Sequence, residues 1–190
     1  MLGSVVAAIK VAGARNRVAK IISYVGDVYT SIFRGTPIVV QLMIFYFIVF
    51  NGVPMSDLMK VVIVFGLNSG AYVAEIMRGG ILSVDAGQME AGRTLGLSYT
   101  ATMIKIVIPQ AVKNVIPTLG NELIALTKDT SVAGYVATMD LNAAFSAIAG
   151  ATYDVIIPYL MLALIYFLIV LLLTFLIRFV ERRMRKSERR

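Results

Sequence analysis

The sequence contains no cysteine and no histidine, and it is poor in charged residues. It therefore has no thiolate or imidazole ligand for a metal, no disulfide and no histidine acid–base catalyst. Charged residues make up 15% of the chain, whereas soluble domains carry about 25%. No phosphate-binding Walker-type loop is visible, so we expect ATP chemistry on another chain. The composition predicts a membrane protein, and it leaves open metal or hydrolytic sites that are built from carboxylates alone.

Hydrophobic residues, in contrast, are abundant: they form 58% of the 190 residues, and the mean hydropathy is +0.82. The longest uncharged run covers residues 155–177, "VIIPYLMLALIYFLIVLLLTFLI". At ~1.5 Å per residue, a helix of this length exceeds the ~30 Å hydrocarbon core of a bilayer. The alternative, a buried helix of a soluble protein, needs a larger core than this chain can build. We predict a membrane span over residues 154–177.

Shorter apolar runs predict further membrane helices. The first 20 residues have too few apolar positions to span, and we interpret them as the end of a first membrane helix that is short or truncated. Residues 128–153 predict an external loop with a short helix. The expected fold is all-α, a polytopic transmembrane bundle of about five helices in a single domain of residues 1–190. The additional predicted spans are residues 38–50, residues 58–81 with glycine-containing interruptions at 68–70 and 74–80, and a weaker one at 106–127.

The net charge of +7 is concentrated at the C-terminus, where residues 178–190 hold seven cations and two carboxylates. Cations beside a span mark the cytoplasmic side, so we expect this basic tail and the 78–105 region in the cytoplasm. Attraction to anionic lipid is sufficient to explain the charge of the tail. Because the tail adjoins a span, we favour the bilayer over nucleic acid as its partner.

Residues 89–110, "MEAGRTLGLSYTATMIKIVIPQ", differ from the apolar runs around them. We predict a short helix over about residues 89–95, a left-handed or bent exit at Gly96, and a second short helix that leads into the next span. Such a projection could bury an apolar face in the groove of a partner protein. The residues of that face are Leu95, Leu97, Tyr99 and Met103.

This segment resembles the coupling motif of bacterial binding-protein-dependent ABC transporter permeases, E-A-A-x3-G-x9-I-x-L-P. The sequence departs from the motif at Gly92, where an alanine is expected, and at Ile108, where a leucine is expected. Glycine costs a helix about 1 kcal/mol relative to alanine, so we expect a shorter or more mobile docking helix. Five matches at fixed spacing disfavour the alternative, an ordinary loop with two glycines. The matching residues are Glu90, Ala91, Gly96, Ile106 and Pro109.

Three more segments resemble the polar amino acid branch of that family, the histidine, glutamine and arginine type: residues 33–47, 69–84 and 120–134. The resemblance covers about residues 20–180. It implies the fold of a type I ABC importer permease in the bacterial inner membrane, with a cytoplasmic C-terminus.

The resemblance also implies partners. These are a second permease subunit, identical or homologous, a pair of ATPase subunits that hold ATP and magnesium, and an external solute-binding protein. No cofactor is expected on this chain. The coupling segment is predicted over residues 85–109, and the residues implied to contact the ATPase are Glu90, Ala91, Gly92, Gly96 and Leu97.

Ionisable residues within predicted spans are candidate substrate ligands, because charge at membrane depth is costly. Glu122 lies on the weak span beside Gly120 and Asn121, and the alternative role for its carboxylate is an ion pair with Lys128 or Lys113. Asp154 begins the last span, where it could face the pathway or cap the helix. If both carboxylates face the pathway, they favour a basic amino acid such as arginine, lysine or histidine.

Asn68, Tyr72 and Glu75 share one stripe of a predicted helix. We expect Glu75 to pair with Arg78 three residues on, which leaves Asn68 and Tyr72 as further substrate candidates. Gln41 could equally join two helices. The function expected is the permease subunit of an ATP-driven importer for polar, basic amino acids. The alternative is a self-contained secondary transporter or channel subunit, for which we see neither paired repeats nor a pore filter.

Overall fold

The computed structural model describes residues 3–4, 6–7, 17–136 and 138–186. Helices dominate these residues and no strand occurs among them, which confirms the predicted all-α class. Two π-helical segments, Phe45–Val49 and Met103–Val107, follow α2 and α5, and a 3-10 segment, Thr130–Val136, follows α6. The α-helices are α1 (Arg17–Gly35), α2 (Ile38–Ile44), α3 (Asp57–Leu82), α4 (Ala86–Thr94), α5 (Tyr99–Thr102), α6 (Ile108–Asp129), α7 (Leu141–Thr152) and α8 (Ile156–Lys186).

Two of these helices, α3 and α8, are each long and apolar enough to cross a membrane. They confirm the predicted spans at 58–81 and 154–177. The expected interruptions of the first are wrong, because α3 is one uninterrupted helix. Gly80 lies where two helices approach closely, because a Cβ at this position would overlap the side chain of Val115 on α6. Helix α8 continues past its span into the basic tail, as far as Lys186.

The predicted span at 38–50 is wrong as an independent helix. Residues 38–49 are too few to cross the bilayer, since 12 helical residues reach only about 18 Å. They pass as a span only together with residues 20–35, and the two parts meet at an angle of 107°. The bend follows from Pro37, which is extended at φ −63° and ψ 138° and precedes the first residue of α2.

The predicted weak span at 106–127 belongs to a longer helical stretch, in which α5, a π-helical segment and α6 are continuous over residues 99–129. This stretch passes as a span only when it is combined with α7, at a bend of 55°. The bundle therefore has two to four candidate spans in its described part. The predicted loop and short helix at 128–153 are the 3-10 segment and α7. The predicted first membrane helix falls mostly on residues outside the described ranges.

Helix α3 is central in the bundle, packed between α1 and α6, and α8 packs on α6 and α7. Close approach of α6 and α8 uses Gly120, where a Cβ would meet the side chain of Ile177. Many apolar side chains of α8, such as Leu168, Leu172 and Phe175, are exposed on the single chain, as expected of a face that meets lipid or another subunit. The buried apolar cluster consists of Leu42, Val61, Val64, Phe65, Ala133 and Val136.

Candidate coupling segment and polar cavity

The predicted coupling segment forms two short helices, α4 and α5, joined by a tight turn. Helix α4 begins after Asp85, whose carboxylate accepts a hydrogen bond of 2.6 Å from the backbone N–H of Gly87. Helix α5 begins after Ser98, whose hydroxyl oxygen accepts one of 3.1 Å from the backbone N–H of Ala101. Each helix therefore has a side-chain cap at its N-terminus, which satisfies a donor that the helix itself leaves free.

The turn between α4 and α5 is built on Gly96, which has a φ of +84°. The N–H of Gly96 donates to the carbonyl oxygen of Arg93 at 3.0 Å, and the N–H of Leu97 donates to that of Gly92 at 3.1 Å. These two hydrogen bonds form a Schellman motif, which ends a helix with a left-handed residue. The left-handed exit predicted at Gly96 is confirmed.

Gly92, where the sequence departs from the family motif, is buried against α5. A Cβ at this position would overlap the side chain of Thr102, which is itself fully buried. Helix α4 covers Ala86–Thr94 and starts before the predicted residue 89, so the shorter docking helix is not observed. The alternative expectation, a more mobile helix, stays a prediction. The missing side chain instead allows α4 and α5 to pack closely.

The outer surface of the segment carries most of the residues predicted to contact an ATPase. Glu90, Ala91 and Gly96 are exposed, and Leu97 is half-buried. Leu95, at the turn, is 80% exposed. A leucine held in water on a rigidly capped turn fits a surface that a partner covers.

Side-chain hydrogen bonds connect this region to α6, a feature that the sequence analysis did not find. The amide N–H of Gln110 on α6 donates to the side-chain oxygen of Gln88 on α4 at 3.1 Å. The amide of Asn114, one turn further along α6, donates to the hydroxyl of Ser83 at the end of α3, at 3.0 Å. Helical spacing alone does not reveal such pairs, because the partners lie 22 and 31 residues apart.

A polar cavity of ≈ 520 Å³ lies between α1 and α3. Its lining includes two carboxylates and two guanidinium groups, which makes it a candidate site for a small charged or zwitterionic ligand. Sequence analysis missed the contribution of α1, although polar residues recur on that helix at helical spacing. The lining residues are Ser23, Asp27, Thr30, Ser31, Arg34, Glu75 and Arg78.

The two arginines of the cavity share one carboxylate. Arg78 donates to Glu75 from Nε at 3.0 Å and from Nη2 at 2.8 Å, which confirms the predicted pairing. Arg34 approaches the same carboxylate at 3.8 Å, and its guanidinium carbon lies 5.4 Å from the ring centre of Tyr72. Arg78 is therefore the more fully paired cation, and Tyr72 contacts the other one.

The remaining substrate candidates occupy three different environments. Glu122 on α6 is half-buried, and it is not among the residues that line the polar cavity. Asn68 is only 6% exposed, and its amide donates to the side-chain oxygen of Gln41 at 2.9 Å.

Gln41 forms hydrogen bonds between helices, which was one of the two roles predicted for it. Its amide donates to the carbonyl oxygen of Phe33 at 2.8 Å and to the hydroxyl of Thr36 at 2.7 Å. Asn68 also donates to the carbonyl oxygen of Phe33, at 3.2 Å. Gln41 and Asn68 thus hold the broken end of α1 against α2 and α3, and the polar groups freed by the bend are satisfied.

Asp154 lies at the start of α8 and is not among the residues that line the polar cavity. Its carboxylate accepts a hydrogen bond of 2.9 Å from the backbone N–H of Ile156. The capping role considered for Asp154 is confirmed. Its predicted role as a substrate ligand stays a prediction.

Comparison with known proteins agrees with this architecture. The family model described as "binding-protein-dependent transport system inner membrane component" matches residues 1–186. The chain belongs to this family, and its resemblance to ABC transporter permeases is confirmed.

Two permeases of known sequence and one solved structure are similar to this chain. The chain is similar to the arginine transport system permease protein ArtQ of Bacillus subtilis, with 40% identity over 87% of this chain and 76% of the relative. It is 41% identical to a putative glutamine transport system permease protein GlnP of Rickettsia bellii, over 83% of this chain and 73% of the relative. A crystal structure of an amino acid ABC transporter with histidines matches with a TM-score of 0.87 and 37% identity, over 96% of this chain and 83% of that one.

Proposed function

We propose that this chain is the permease subunit of an ATP-driven importer for amino acids, and that basic amino acids are its preferred substrates. The single observation that carries the proposal is the capped α4–Gly96–α5 projection, with Leu95 exposed at its tip. Family membership indicates the class of transporter. The projection is the surface on which we propose that an ATPase subunit docks.

Docking of an ATPase subunit would explain why this projection combines a fixed turn with an exposed leucine and charged neighbours. The turn is fixed by two hydrogen bonds and a left-handed glycine, so it can transmit a push without refolding. Leu95 offers an apolar side chain to a partner groove, and Glu90 and Arg93 offer charge around it. ATP and magnesium would be held by the partner, and their hydrolysis would drive rigid-body movement of the helices.

The remaining partners follow from the family. A second permease subunit, identical or homologous, would complete the pathway, and an external solute-binding protein would deliver the substrate. The projection and the basic tail would face the cytoplasm, because cations beside membrane spans favour that side: Arg78, Arg93 and Lys105 lie in or near the coupling segment, and residues 178–190 follow the last span. This orientation leaves the 3-10 segment and α7 on the external face.

The preference for basic amino acids rests on Glu122. The relatives named for arginine and for glutamine are similar to this chain to almost the same extent, so similarity does not select between the substrates. In the polar cavity, Glu75 is shared by both arginines. Glu122 and Asp129 are both carboxylic acids on α6, and negative charge there would favour a cationic side chain over glutamate.

The test is uptake by the chain assembled with its ATPase in proteoliposomes, with labelled arginine and glutamate as probes. We expect Glu122→Gln to reduce the ratio of arginine to glutamate uptake about tenfold, the effect of losing ~1.4 kcal/mol of preference. Glu181→Gln, the same change on α8 beyond the span, should leave the ratio unchanged. An unaltered ratio in Glu122→Gln would remove this residue from the substrate site. Arginine uptake without the ATPase would instead favour a self-contained transporter.

A further inference from the structure

Helix α4 packs against α5 and against the π-helical segment Met103–Val107, at the start of the long helical stretch 99–129. Two side-chain contacts join α4 to the two ends of that segment. The first is the close packing of Gly92 on Thr102, and the second is the hydrogen bond between Gln88 and Gln110. Gln88 and Gly92 are four residues apart, so both lie on one face of α4. Their partners follow in reverse order along the second helix, so α4 runs antiparallel to it.

The two contacts lie on opposite sides of a π-helical segment, Met103–Val107. Thr102 precedes this segment and Gln110 follows it. A π-helical turn is wider than an α-helical turn and is a rare local departure from it, often found at functional sites. It is therefore the place where a force applied below α6 would most easily bend the helix.

We infer that the Gln88–Gln110 hydrogen bond positions α4 as a splint across the π-helical segment, so that the coupling segment and α6 move as one unit. The inference rests on the proposed docking of an ATPase, and it names the residues through which the movement would reach Glu122. Without the bond, α4 would keep its packing on α5 and on Met103–Val107 but would lose its hydrogen bond to α6 beyond that segment. Movement of α4 would then bend the π-helical segment, and α6 would be displaced by a smaller distance.

The second contact between α6 and its surroundings supports this arrangement. Asn114 is one turn beyond Gln110 and bonds to Ser83 at the end of α3, which directly precedes α4. Gln110 also donates to the backbone carbonyl of Ile106 within the π-helical segment, at 3.1 Å. Gln110 thus contacts both α4 and the π-helical segment that α4 spans.

The experiment measures amino acid uptake and ATP hydrolysis together in proteoliposomes that contain the complete transporter. The variants are Gln88→Ala, Gln110→Ala, the double variant, and Gln88→Glu combined with Gln110→Lys, which replaces the hydrogen bond by an ion pair. Asn51→Ala, an exposed amide in the turn before α3, is the matched control. Uptake is expressed per ATP hydrolysed and per inserted chain, so that a loss of folded protein does not affect the ratio.

We expect each single variant to lower the uptake per ATP about three- to tenfold, the range given by one net hydrogen bond. The double alanine variant should be no worse than either single variant, since all three remove the same contact. The ion-pair variant, Gln88→Glu with Gln110→Lys, should restore the ratio, and Asn51→Ala should leave it unchanged. The amino acid concentration for half-maximal uptake should not change in any of them, because the substrate site is intact.

Single variants with the ratio of the unaltered chain would overturn the inference, as would additive losses in the double variant. Either result is compatible with the proposed function. Failure of the proposed function has a different signature: the unaltered chain, assembled with its ATPase, would show no ATP-dependent amino acid uptake at all.

Discussion

The coupling segment and the polar cavity are built in opposite ways. The coupling segment is local: its caps, its left-handed glycine and its two short helices all lie between Asp85 and Thr102. The cavity is assembled from α1 and α3, whose lining residues are separated by 40 or more positions and are connected by the Arg34–Glu75 ion pair. One site is therefore determined by short-range chemistry, and the other depends on how the helices pack.

This difference has a mechanical consequence. A local, hydrogen-bonded projection can move as a rigid body, and the cavity between two helices changes shape when one helix moves against the other. Charged groups of the cavity come from both helices: Arg34 on α1 approaches Glu75 on α3 at 3.8 Å. A movement of α1 against α3 would therefore change the lining of the cavity.

The largest effect is expected when the local geometry of the coupling segment is broken. Gly96→Pro imposes a negative φ where the backbone requires +84° and removes the N–H that bonds to Arg93. A loss of about 3 kcal/mol or more corresponds to roughly a 100-fold decrease in ATP-driven uptake. Membrane insertion should be normal, because the turn lies outside the spans. Gly52→Pro is the matched control, since Gly52 also has a positive φ, of +72°, but in the turn before α3. Near-normal uptake by Gly96→Pro would show that this geometry does not matter.

A smaller effect is expected from Gly92→Ala, which restores the residue of the family motif. Alanine improves helix propensity by about 1 kcal/mol, but overpacking against Thr102 costs about 1–3 kcal/mol. We expect a net decrease in thermal stability and uptake, with recovery when Thr102→Ala removes the overlapping atoms. Gly79→Ala, which adds a methyl group where no atom lies within 4 Å, is the control. A Gly92→Ala variant more stable than the unaltered chain would mean that α4 and α5 are not closely packed.

The smallest effect is expected at Asp154. A carboxylate that only caps α8 and a carboxylate that also binds the substrate predict different results there. Asparagine caps helices as well as aspartate does, so Asp154→Asn keeps the cap and removes the charge. We expect Asp154→Asn to leave the ratio of arginine to glutamate uptake unchanged, while Asp154→Ala lowers stability by about 1 kcal/mol. A shifted ratio in Asp154→Asn would place this carboxylate in the substrate site and weaken the contrast between the two regions.

The sequence allowed most of the coupling segment to be predicted, because its determinants are local. Gly96, the short helix before it and the helix after it follow from turn chemistry and the family motif. The role of Gly92 could not be derived in the same way. Helix propensity is a property of one residue, whereas the burial of Gly92 depends on its contact with Thr102 on α5. Helix propensity predicted a helix shorter than the observed Ala86–Thr94, because it takes no account of the packing of Gly92 on Thr102.

The membrane helices were predicted less well than the coupling segment. The uncharged run of α8 was sufficient to predict a span, whereas the run at 38–50 was mistaken for one because Pro37 bends the chain there by 107°. The polar face of α1 was visible as Ser23, Asp27 and Arg34 at helical spacing, but which helix it would face was not. Glu75 and Arg78 could be paired from spacing alone, and the approach of Arg34 from another helix could not.

The most direct test of the account uses the absence of cysteine from the chain. Leu95→Cys places one thiol on the exposed tip of the coupling segment, where it can carry a photoactivated cross-linker. Met139→Cys, at a residue that is 78% exposed between the 3-10 segment and α7, is the control. We expect light to join the Leu95→Cys chain to the ATPase subunit, in a yield that changes with ATP, and we expect no such product from the Met139→Cys chain. Unimpaired ATP-driven uptake by the Leu95→Cys chain, with no cross-link to the ATPase at any stage of the ATP cycle, would contradict it.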